Sequence, residues 1–269
     1  MSEYTIPVTA LFQEGKTRTS ETLELIREEP LSIRVQGRPY AVVMRTPGDE
    51  SAHVAGFCLA EGVVDTPDDI ETIASCEGDA TNVVTLTVTP DRLGKITSVL
   101  DRQGFVSQTA CGICGKVLVQ DLSQMVRILP DGPPIDLERA YRRLETLKEL
   151  QPLYRQTRST HAAAVYTSAF DLLSVAEDVG RHNALDKAVG KVFLKGLLPR
   201  AKVLILSSRI SYEMVQKAAR AEIPFVLASS AATALAVELA DSLNMTLASP
   251  SRGGGIHVYC GRRRLAPPA

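Results

Sequence analysis

The sequence predicts an α/β protein in which a layered C-terminal domain follows a smaller α+β N-terminal domain. After residue 135, short apolar segments alternate with helical patterns, which is typical of a layered α/β domain. Before that point the pattern shows a hairpin, helices and an isolated strand. The run Leu129-Pro130-Asp131-Gly132-Pro133-Pro134 is the clearest break between the two parts. We therefore expect one domain over residues 1–134 and a second over residues 135–269.

The N-terminal domain begins with a predicted hairpin. Strands Leu31–Val35 and Tyr40–Met44 flank the turn-forming residues 36–39. A helix is expected to begin after the turn Thr46–Asp49, because apolar residues then recur at helical spacing until Gly62 closes the pattern. Alternating apolar residues and threonines predict a half-buried strand farther along the chain. The elements after the hairpin are a helix to about residue 61, a strand over 84–88 and a short helix over 91–101.

Helices and strands alternate through the C-terminal domain. Asp136 is a good N-cap for a helix that continues to about Leu150, with an apolar stripe along one face. The strands that follow are short and apolar, and most lead into a polar turn or a helical pattern. The predicted strands are 162–166, 172–176, 203–206, 225–228, 245–248 and 256–260. The predicted helices are 183–195, 212–220 and 233–243.

The composition argues against several classes of function. The chain has 269 residues and a formal net charge of −1, with both signs of charge mixed along it. It therefore lacks the electrostatic footprint of a protein that binds nucleic acid or an anionic membrane. We find no apolar run of the roughly 18 residues that cross a membrane, and no signal-peptide pattern at the start. Five cysteines without the spacing of a disulfide framework favour a reducing compartment, so we expect a soluble cytoplasmic protein.

Cys111-Gly112-Ile113-Cys114-Gly115 is the most informative segment of the chain. Two cysteines this close, each followed by glycine, indicate exposed sulfur chemistry on a mobile loop, which we place at residues 105–117 and which joins the two domains. The pair can hold a metal, form a redox disulfide, transfer a sulfur atom or consist of ordinary loop residues. The chain has no second close pair of ligands, so no protein-bound metal is expected. A thioredoxin-type pair begins a helix, and these glycines are poor helix formers.

Polar residues follow four of the predicted C-terminal strands. Ligands of layered α/β sheets bind outside the carboxyl ends of the strands, beside helix N-termini. Serines, arginines and exposed backbone amides at those ends predict a site for an anion or a phosphate-bearing ligand. The segments are Glu177–Asn183, with Asp178 and His182; Ser207, Ser208 and Arg209; Ser229 and Ser230; and Ser249, Pro250, Ser251, Arg252, Gly253, Gly254 and Gly255. Such serines can instead be helix N-caps, and such glycines can form a turn without a ligand.

The four histidines receive separate interpretations. His182 opens a predicted helix beside carboxylates, and His161 precedes a strand, so each imidazole is either a base or a packing residue. His53 lies on the first predicted helix and is interpreted as structural. His257 alternates within the last predicted strand.

Several of these segments together resemble the FdhD/NarQ family of formate dehydrogenase accessory sulfurtransferases. Residues 111–115 are similar to the Cys-Gly-x-Cys-Gly loop of that family, and Glu177–Lys187 resembles its most recognisable block. Further matching segments are Ser207–Arg209 with Glu213-Met214-Val215, the segment from Gly56 to Gly62, and Arg252-Gly253-Gly254. The resemblance extends from about residue 35 to the C-terminus. The chain departs from the family pattern at Ser159, Thr160, Pro250 and Gly255.

The resemblance implies a sulfur carrier that accepts sulfane sulfur from a cysteine desulfurase. The carrier would deliver it to the molybdenum cofactor, as bis-molybdopterin guanine dinucleotide, before the cofactor enters formate dehydrogenase. The resemblance also implies a cytidine-deaminase-like fold for the C-terminal domain and a homodimer. By position, Cys111 would carry the persulfide, Cys114 would assist it, and Pro250–Gly255 would lie in the cofactor-binding loop.

The residues themselves are suited to this chemistry. A persulfide carrier needs a thiolate that attacks sulfane sulfur and later releases it, and a polyanionic guanine dinucleotide suits the predicted anion site. Zinc deaminases use His-x-Glu and Pro-Cys-x-x-Cys, whereas Ala163 stands in place of the glutamate and no proline precedes Cys111, so deamination is not expected. One alternative stays open. The protein could be a non-catalytic chaperone that binds the cofactor and formate dehydrogenase, with incidental or regulatory cysteines.

Overall fold

The computed structural model describes residues 3–75, 82–100 and 126–267. Within these ranges the chain forms sheets of two, four and six strands, with helices packed on the larger two. This mixed α/β architecture confirms the predicted fold class at that level. The predicted loop over 105–117, with its two cysteines, lies outside the described residues. None of the helices in the described ranges is long and apolar enough to cross a membrane.

An N-terminal hairpin forms the two-stranded sheet. Strand β1 (Thr5–Glu14) pairs antiparallel with β2 (Thr17–Ile26) along its full length. The sequence analysis missed this hairpin. Residues 17–22 contain no apolar side chain, so the period-two pattern is absent from half of β2, and Pro7 weakens the strand signal of β1.

The four-stranded sheet has the order β4-β3-β6-β5. β3 lies parallel to β6, and the other two pairings are antiparallel. The predicted hairpin is confirmed as β3 and β4, whereas β5 was not predicted. The elements of this part are β3 (Glu29–Val35), β4 (Arg38–Arg45), α1 (Glu50–Ala60), a 3-10 turn (Pro67–Asp69), β5 (Ile70–Ser75), β6 (Val83–Val88) and α2 (Pro90–Leu100).

The six-stranded sheet has the order β12-β11-β10-β9-β7-β8. β9, β10 and β11 are parallel, β7 is antiparallel to both of its neighbours, and β12 is antiparallel to β11. Its strands are β7 (His161–Tyr166), β8 (Leu172–Asp178), β9 (Val203–Leu206), β10 (Phe225–Ala228), β11 (Thr246–Pro250) and β12 (Ile256–Cys260). The helices of this part are α3 (Leu137–Glu145), α4 (Pro152–Thr157), α5 (Arg181–Leu194), α6 (Tyr212–Arg220) and α7 (Ala234–Ser242). Short 3-10 segments cover Thr146–Leu150, Leu198–Arg200 and Arg262–Arg264.

Most element boundaries differ from the predicted ones by one or two residues. β8 continues to Asp178, because Asp178 pairs with His161 of β7. β11 continues to Pro250, because Ser249 and Pro250 pair with β12. The helix predicted over 136–150 is two elements, α3 and the 3-10 segment that follows it, and the short helix α4 was not predicted.

Two clusters of buried apolar side chains cover the two faces of the six-stranded sheet. The larger cluster includes Ile33 of β3, Val54 of α1, Ala188 of α5 and Leu204 of β9, so it joins the two larger sheets. The smaller cluster packs α3 against the opposite face, where Ile205 lies. Burial of these side chains is the main stabilising contribution, at about 25 cal/mol per Å² of apolar surface removed from water. The division into domains at residue 134 stays a prediction.

Candidate functional site

The carboxyl ends of four strands meet at one edge of the six-stranded sheet. β8, β9, β10 and β11 run in the same direction, and β7, which runs in the opposite direction, begins at the same edge. We call the residues at this edge the strand-end site. They are Thr160, His161, Asp178–His182, Ser207–Arg209, Ser229, Ser230 and Pro250–Gly255. The prediction that the polar strand ends gather together is therefore confirmed by the topology.

Ser207 connects the end of β9 to the start of β7. Its Oγ accepts a hydrogen bond from the backbone N–H of Ala162 at 2.8 Å and lies 3.4 Å from Nδ1 of His161. Ser229, at the end of β10, donates from its Oγ to the carbonyl oxygen of Ser207 at 2.7 Å. The structure thus brings two of the predicted site serines and one histidine into direct contact.

The other serine turn is shaped by its own hydrogen bonds. Ser208 is buried, and its Oγ donates to the carbonyl oxygen of Arg209 at 3.0 Å. The backbone N–H of Ser230 donates to the carbonyl oxygen of Ser208 at 3.3 Å. The side chain of Arg209 is exposed beside this turn. Ser208 therefore shapes the turn, while Arg209 is free to meet a ligand.

The glycine loop between β11 and β12 is a tight turn beside open space. Its ends are joined by a hydrogen bond from the N–H of Ser251 to the carbonyl oxygen of Gly255 at 2.9 Å. Gly254 and Gly255 have φ values of 91° and 80°, which L-residues with side chains rarely adopt. A Cβ on Gly253, Gly254 or Gly255 would meet no atom within 4 Å. The backbone conformation therefore requires glycine at two positions, and the surrounding space can admit a ligand.

Asp178, the last residue of β8, is fully buried. Its carboxylate accepts hydrogen bonds from the backbone N–H groups of Thr46 at 3.1 Å and Gly180 at 2.8 Å, and from the side chain of Asn183 at 2.9 Å. It also forms an ion pair of 2.7 Å with Lys187, which is itself buried. This carboxylate fixes the start of α5 against the segment that precedes α1. Its predicted contact with a cofactor stays a prediction.

Glu177 was only a member of a polar block in the sequence analysis, and the structure gives it a definite position. Its carboxylate accepts hydrogen bonds from the backbone N–H groups of Leu153 and Tyr154 at 2.8 Å each, so it caps the N-terminus of α4. The hydroxyl of Thr160 donates to the same carboxylate at 2.7 Å. Glu177 therefore positions the residue that precedes His161. The capped helix lies distant in sequence, so no local pattern could have indicated this contact.

A network of paired charges, which includes His182, lies between α5 and α6. Nε2 of His182 lies 2.6 Å from a carboxylate oxygen of Glu213, and this hydrogen bond helps to hold the pKa of Glu213 below its ordinary value. Farther from the edge, Nζ of Lys217 contacts both carboxylate oxygens of Asp186 at 2.8 and 2.9 Å. Burial alone would lower the pKa of Lys217, but the negative charges of Asp186 and Glu61 outweigh it and raise that pKa. His182 is thus part of an ordered charge network.

The strand-end site carries excess positive charge. Burial lowers the pKa of His161, and the charges of Arg181 and His182 lower it further, so His161 is neutral at pH 7. Arg181, Arg209 and Arg252 take part in none of the ion pairs found among the described residues. The exposed guanidinium groups of Arg209 and Arg252, beside exposed backbone amides, suit a phosphate-bearing ligand.

Two cysteines of the described ranges lie away from this site and are buried. Cys58 is on α1 and Cys260 ends β12, and burial raises the pKa of both thiols. A raised pKa reduces the thiolate fraction, which makes a thiol a poor nucleophile. Cys111 and Cys114, the predicted catalytic pair, lie outside the described residues.

Comparison with known proteins gives consistent matches. A model of the FdhD/NarQ family matches residues 26–266. A protein named sulfur carrier protein FdhD from Mycobacterium tuberculosis is 40% identical over 255 residues, covering 91% of this chain and 92% of the relative. A protein of the same name from Streptomyces avermitilis is 38% identical over 252 residues, covering 90% and 89%. A crystal structure described as a formate dehydrogenase accessory protein from Desulfotalea psychrophila has a TM-score of 0.77 at 20% identity, covering 98% of this chain and 100% of that one.

Proposed function

The chain belongs to the FdhD/NarQ family, and on that basis we propose that it is a sulfur carrier in the maturation of formate dehydrogenase. It takes sulfane sulfur from a cysteine desulfurase as a cysteine persulfide. It then transfers that sulfur to its cargo, the molybdenum cofactor in its bis-molybdopterin guanine dinucleotide form, before the cofactor enters formate dehydrogenase. We also infer that it acts in the cytoplasm as a homodimer and that its C-terminal part has cytidine-deaminase-like layering.

The proposed sulfur transfer is a pair of thiol exchange steps. The thiolate of Cys111 attacks the outer sulfur of the desulfurase persulfide, the sulfur–sulfur bond of the donor breaks, and the donor cysteine leaves as a thiolate. Cys114 then attacks the inner sulfur of the Cys111 persulfide, which forms a disulfide between the two cysteines and releases sulfide to the cofactor. A cellular dithiol reduces that disulfide before the next cycle. A glycine, the residue type with the fewest backbone restrictions, follows each of the two cysteines in the sequence.

The strand-end site is the proposed binding site for the guanine dinucleotide. Four polar strand ends lie together at one edge of the sheet, where three arginines lack an ion pair among the described residues. This observation supports the proposed binding site. Arg209 and Arg252 are exposed and can bind phosphate oxygens. Gly253 to Gly255 leave space for close approach of a ligand to the backbone. Ser207, Ser229 and the neutral His161 supply uncharged hydrogen-bonding groups beside them.

The competing function is a non-catalytic chaperone that binds the cofactor and formate dehydrogenase without carrying sulfur. Both functions use the strand-end site to bind the cofactor. They differ only in whether the cysteines carry sulfur. Two measurements on the same protein therefore separate the functions: sulfur loading reports on the cysteine pair, and nucleotide binding reports on the strand-end site.

The deciding experiment incubates the full chain with a cysteine desulfurase and free cysteine and then records its intact mass. We expect the mass of one added sulfur, removable by a reductant and located on the peptide that contains Cys111 and Cys114. Cys111→Ser should abolish loading while guanosine diphosphate still binds. Cys260→Ser is the matched control, because this thiol is buried, and it should load normally. A wild-type protein that binds the nucleotide and gains no sulfur would establish the chaperone function instead.

A further inference from the structure

His182 and Glu213 connect the first turns of two helices at the strand-end site. Nε2 of His182, near the start of α5, lies 2.6 Å from a carboxylate oxygen of Glu213, near the start of α6. The side chain of His182 is 19% exposed and that of Glu213 is 28% exposed, so water only partly screens the contact. Glu213 is ionised at pH 7, because its hydrogen bond with His182 helps to hold its pKa below the ordinary value. An ionised carboxylate only accepts hydrogen bonds, so Nε2 is the nitrogen that carries a hydrogen in this contact.

The other ring nitrogen of His182 is available to a ligand. None of the hydrogen bonds found among the described residues engages Nδ1 of His182. Because Nε2 faces Glu213, a neutral imidazole presents a lone pair at Nδ1, whereas an imidazolium presents an N–H donor there. Only the charged form can therefore donate a hydrogen bond to a phosphate oxygen through Nδ1.

The charged groups around His182 act in opposite directions. The carboxylates of Glu213 and Asp186 favour the imidazolium. The adjacent Arg181 and the positive end of the α5 dipole oppose it. Lys217, the other cation between α5 and α6, is paired with Asp186 at 2.8 Å. Glu213 is in direct contact with His182 and bears no ion pair to Lys217, so it is the main group that stabilises a charged His182.

His182 lies beside the uncharged groups of the strand-end site. Its charge acts on His161, which in turn lies 3.4 Å from the hydroxyl oxygen of Ser207. His161 and His53, a histidine of α1, are both neutral at pH 7, because burial lowers the pKa of each. Nε of Arg181 is buried without a hydrogen-bond partner among the described residues. This part of the site therefore has an unused donor, and His182 is its histidine that can be charged near neutral pH.

We propose that Glu213 is a positioning residue that holds His182 charged and directs Nδ1–H toward a phosphate of the cargo, so that the strand-end site binds its cargo together with a proton. This inference rests on the proposed binding of the guanine dinucleotide and deepens it. When His182 loses its proton, the donor at Nδ1 is lost, and the carboxylate of Glu213 is left as an unneutralised negative charge that repels the phosphates. Histidine changes charge between about pH 5 and 8, so the affinity for the nucleotide falls as pH rises through this range.

The first test compares the wild-type full chain with His182→Gln. Titration calorimetry with guanosine diphosphate measures the dissociation constant of each protein at several values between about pH 5.5 and 8.5. At the lowest pH, His182→Gln should bind roughly tenfold more weakly, the effect of losing one charge-assisted hydrogen bond to phosphate. The difference should disappear at the highest pH, where His182 of the wild type is neutral. Titration of the nucleotide itself affects both proteins equally and cancels in the ratio of their dissociation constants.

Glu213→Gln tests the positioning role. It keeps a side chain of similar size and removes the negative charge, so the midpoint of the pH profile should move to lower pH. At the lowest pH this variant should bind the nucleotide at least as tightly as the wild type, because His182 is charged and a neighbouring negative charge is gone. Loss of a purely structural contact would instead weaken binding at every pH without moving the midpoint. Glu238→Gln is the matched control, because Glu238 is exposed on α7, and it should leave the profile unchanged.

The outcomes separate this inference from the proposed function. A wild-type protein that binds no guanosine diphosphate at any pH would overturn the nucleotide site and the role of His182 with it. If the wild type binds and His182→Gln differs from it by the same factor at every pH, the nucleotide site stands and the proton-linked role of His182 is rejected. An unchanged midpoint for Glu213→Gln would reject the positioning role of Glu213.

Discussion

Gly56 and Gly190 face each other where α1 crosses α5. A Cβ on Gly56 would lie 2.0 Å from the carbonyl oxygen of Asp186, and one on Gly190 would lie 1.8 Å from that of Ala52. Both distances are far below any van der Waals contact, so only glycine permits this approach of the two helices. The crossing connects the four-stranded part of the molecule to the helix that begins at the strand-end site.

Alanine at either crossing position should destabilise the protein. For Gly190→Ala we expect a loss of about 3 kcal/mol in the free energy of unfolding, because the methyl group meets backbone that cannot rotate away. Urea unfolding measures the loss. Gly94→Ala is the matched control. Gly94 lies on α2, and a Cβ there would meet no atom within 4 Å, so this change should stabilise the protein by about 0.5–1 kcal/mol. Equal effects of the two changes would contradict the close crossing.

The buried pair of Asp178 and Lys187 gives a second prediction. Asp178→Asn leaves the ammonium of Lys187 buried without its counter-charge, so we expect a loss of about 3–5 kcal/mol in the free energy of unfolding. The double change with Lys187→Met should cost less than the sum of the single changes, because no isolated charge is left. Asp49→Asn is the control. It breaks an ion pair with Lys191 that is partly exposed, and it should cost under about 1 kcal/mol.

Local signals explain which parts of the fold could be predicted. Helix α6 is found at its predicted bounds, because an amphipathic pattern and a serine at its start lie within one short segment. The position of the strand-end site also follows from sequence, since polar residues after strands that share a direction must meet at one edge.

Non-local contacts explain the rest. In the sequence, Asp178 lies close to Arg181 and His182, and this pattern favours a contact with a ligand. Its burial depends on Thr46, which lies 132 residues away. The N-terminal hairpin was missed for a related reason: the pairing of β1 with β2 stabilises a strand whose first half has no apolar residue. The catalytic roles of Cys111 and Cys114 stay predictions, and the family to which the chain belongs supports them.

Thiol reactivity provides a third prediction. In the folded protein, brief treatment with iodoacetamide should leave Cys58 and Cys260 unmodified, because both are buried and burial raises their pKa. Peptide mapping by mass spectrometry identifies the alkylated sites. All five cysteines should react once the chain is unfolded in guanidinium. Rapid native alkylation of Cys58 would contradict its position in the core.

A fourth prediction concerns the charge of the strand-end site. Arg209→Gln should weaken the binding of guanosine diphosphate by roughly tenfold, the effect of losing one charge-assisted hydrogen bond to phosphate. Titration calorimetry measures the dissociation constant. Arg200→Gln is the control, because Arg200 is also exposed but lies before β9, at the opposite edge of the sheet. If both variants bind as the wild type does, the nucleotide occupies another surface.

His53 makes the stability of the fold depend on pH. Burial and the charges of Lys187, Lys217 and Arg45 lower the pKa of His53 well below its ordinary value. Below about pH 6.5 the unfolded chain therefore binds a proton at this residue that the folded chain does not, so stability falls as pH falls. Between about pH 7.5 and 5.5 this histidine should account for a loss of about 1.4 kcal/mol. His53→Met should flatten urea-unfolding profiles by that amount, whereas His257→Gln, at an exposed position, should leave their slope unchanged. If the His53→Met profile is as steep as that of the wild type, the pH dependence comes from other groups. His161 is the first of these to test, because burial also lowers its pKa.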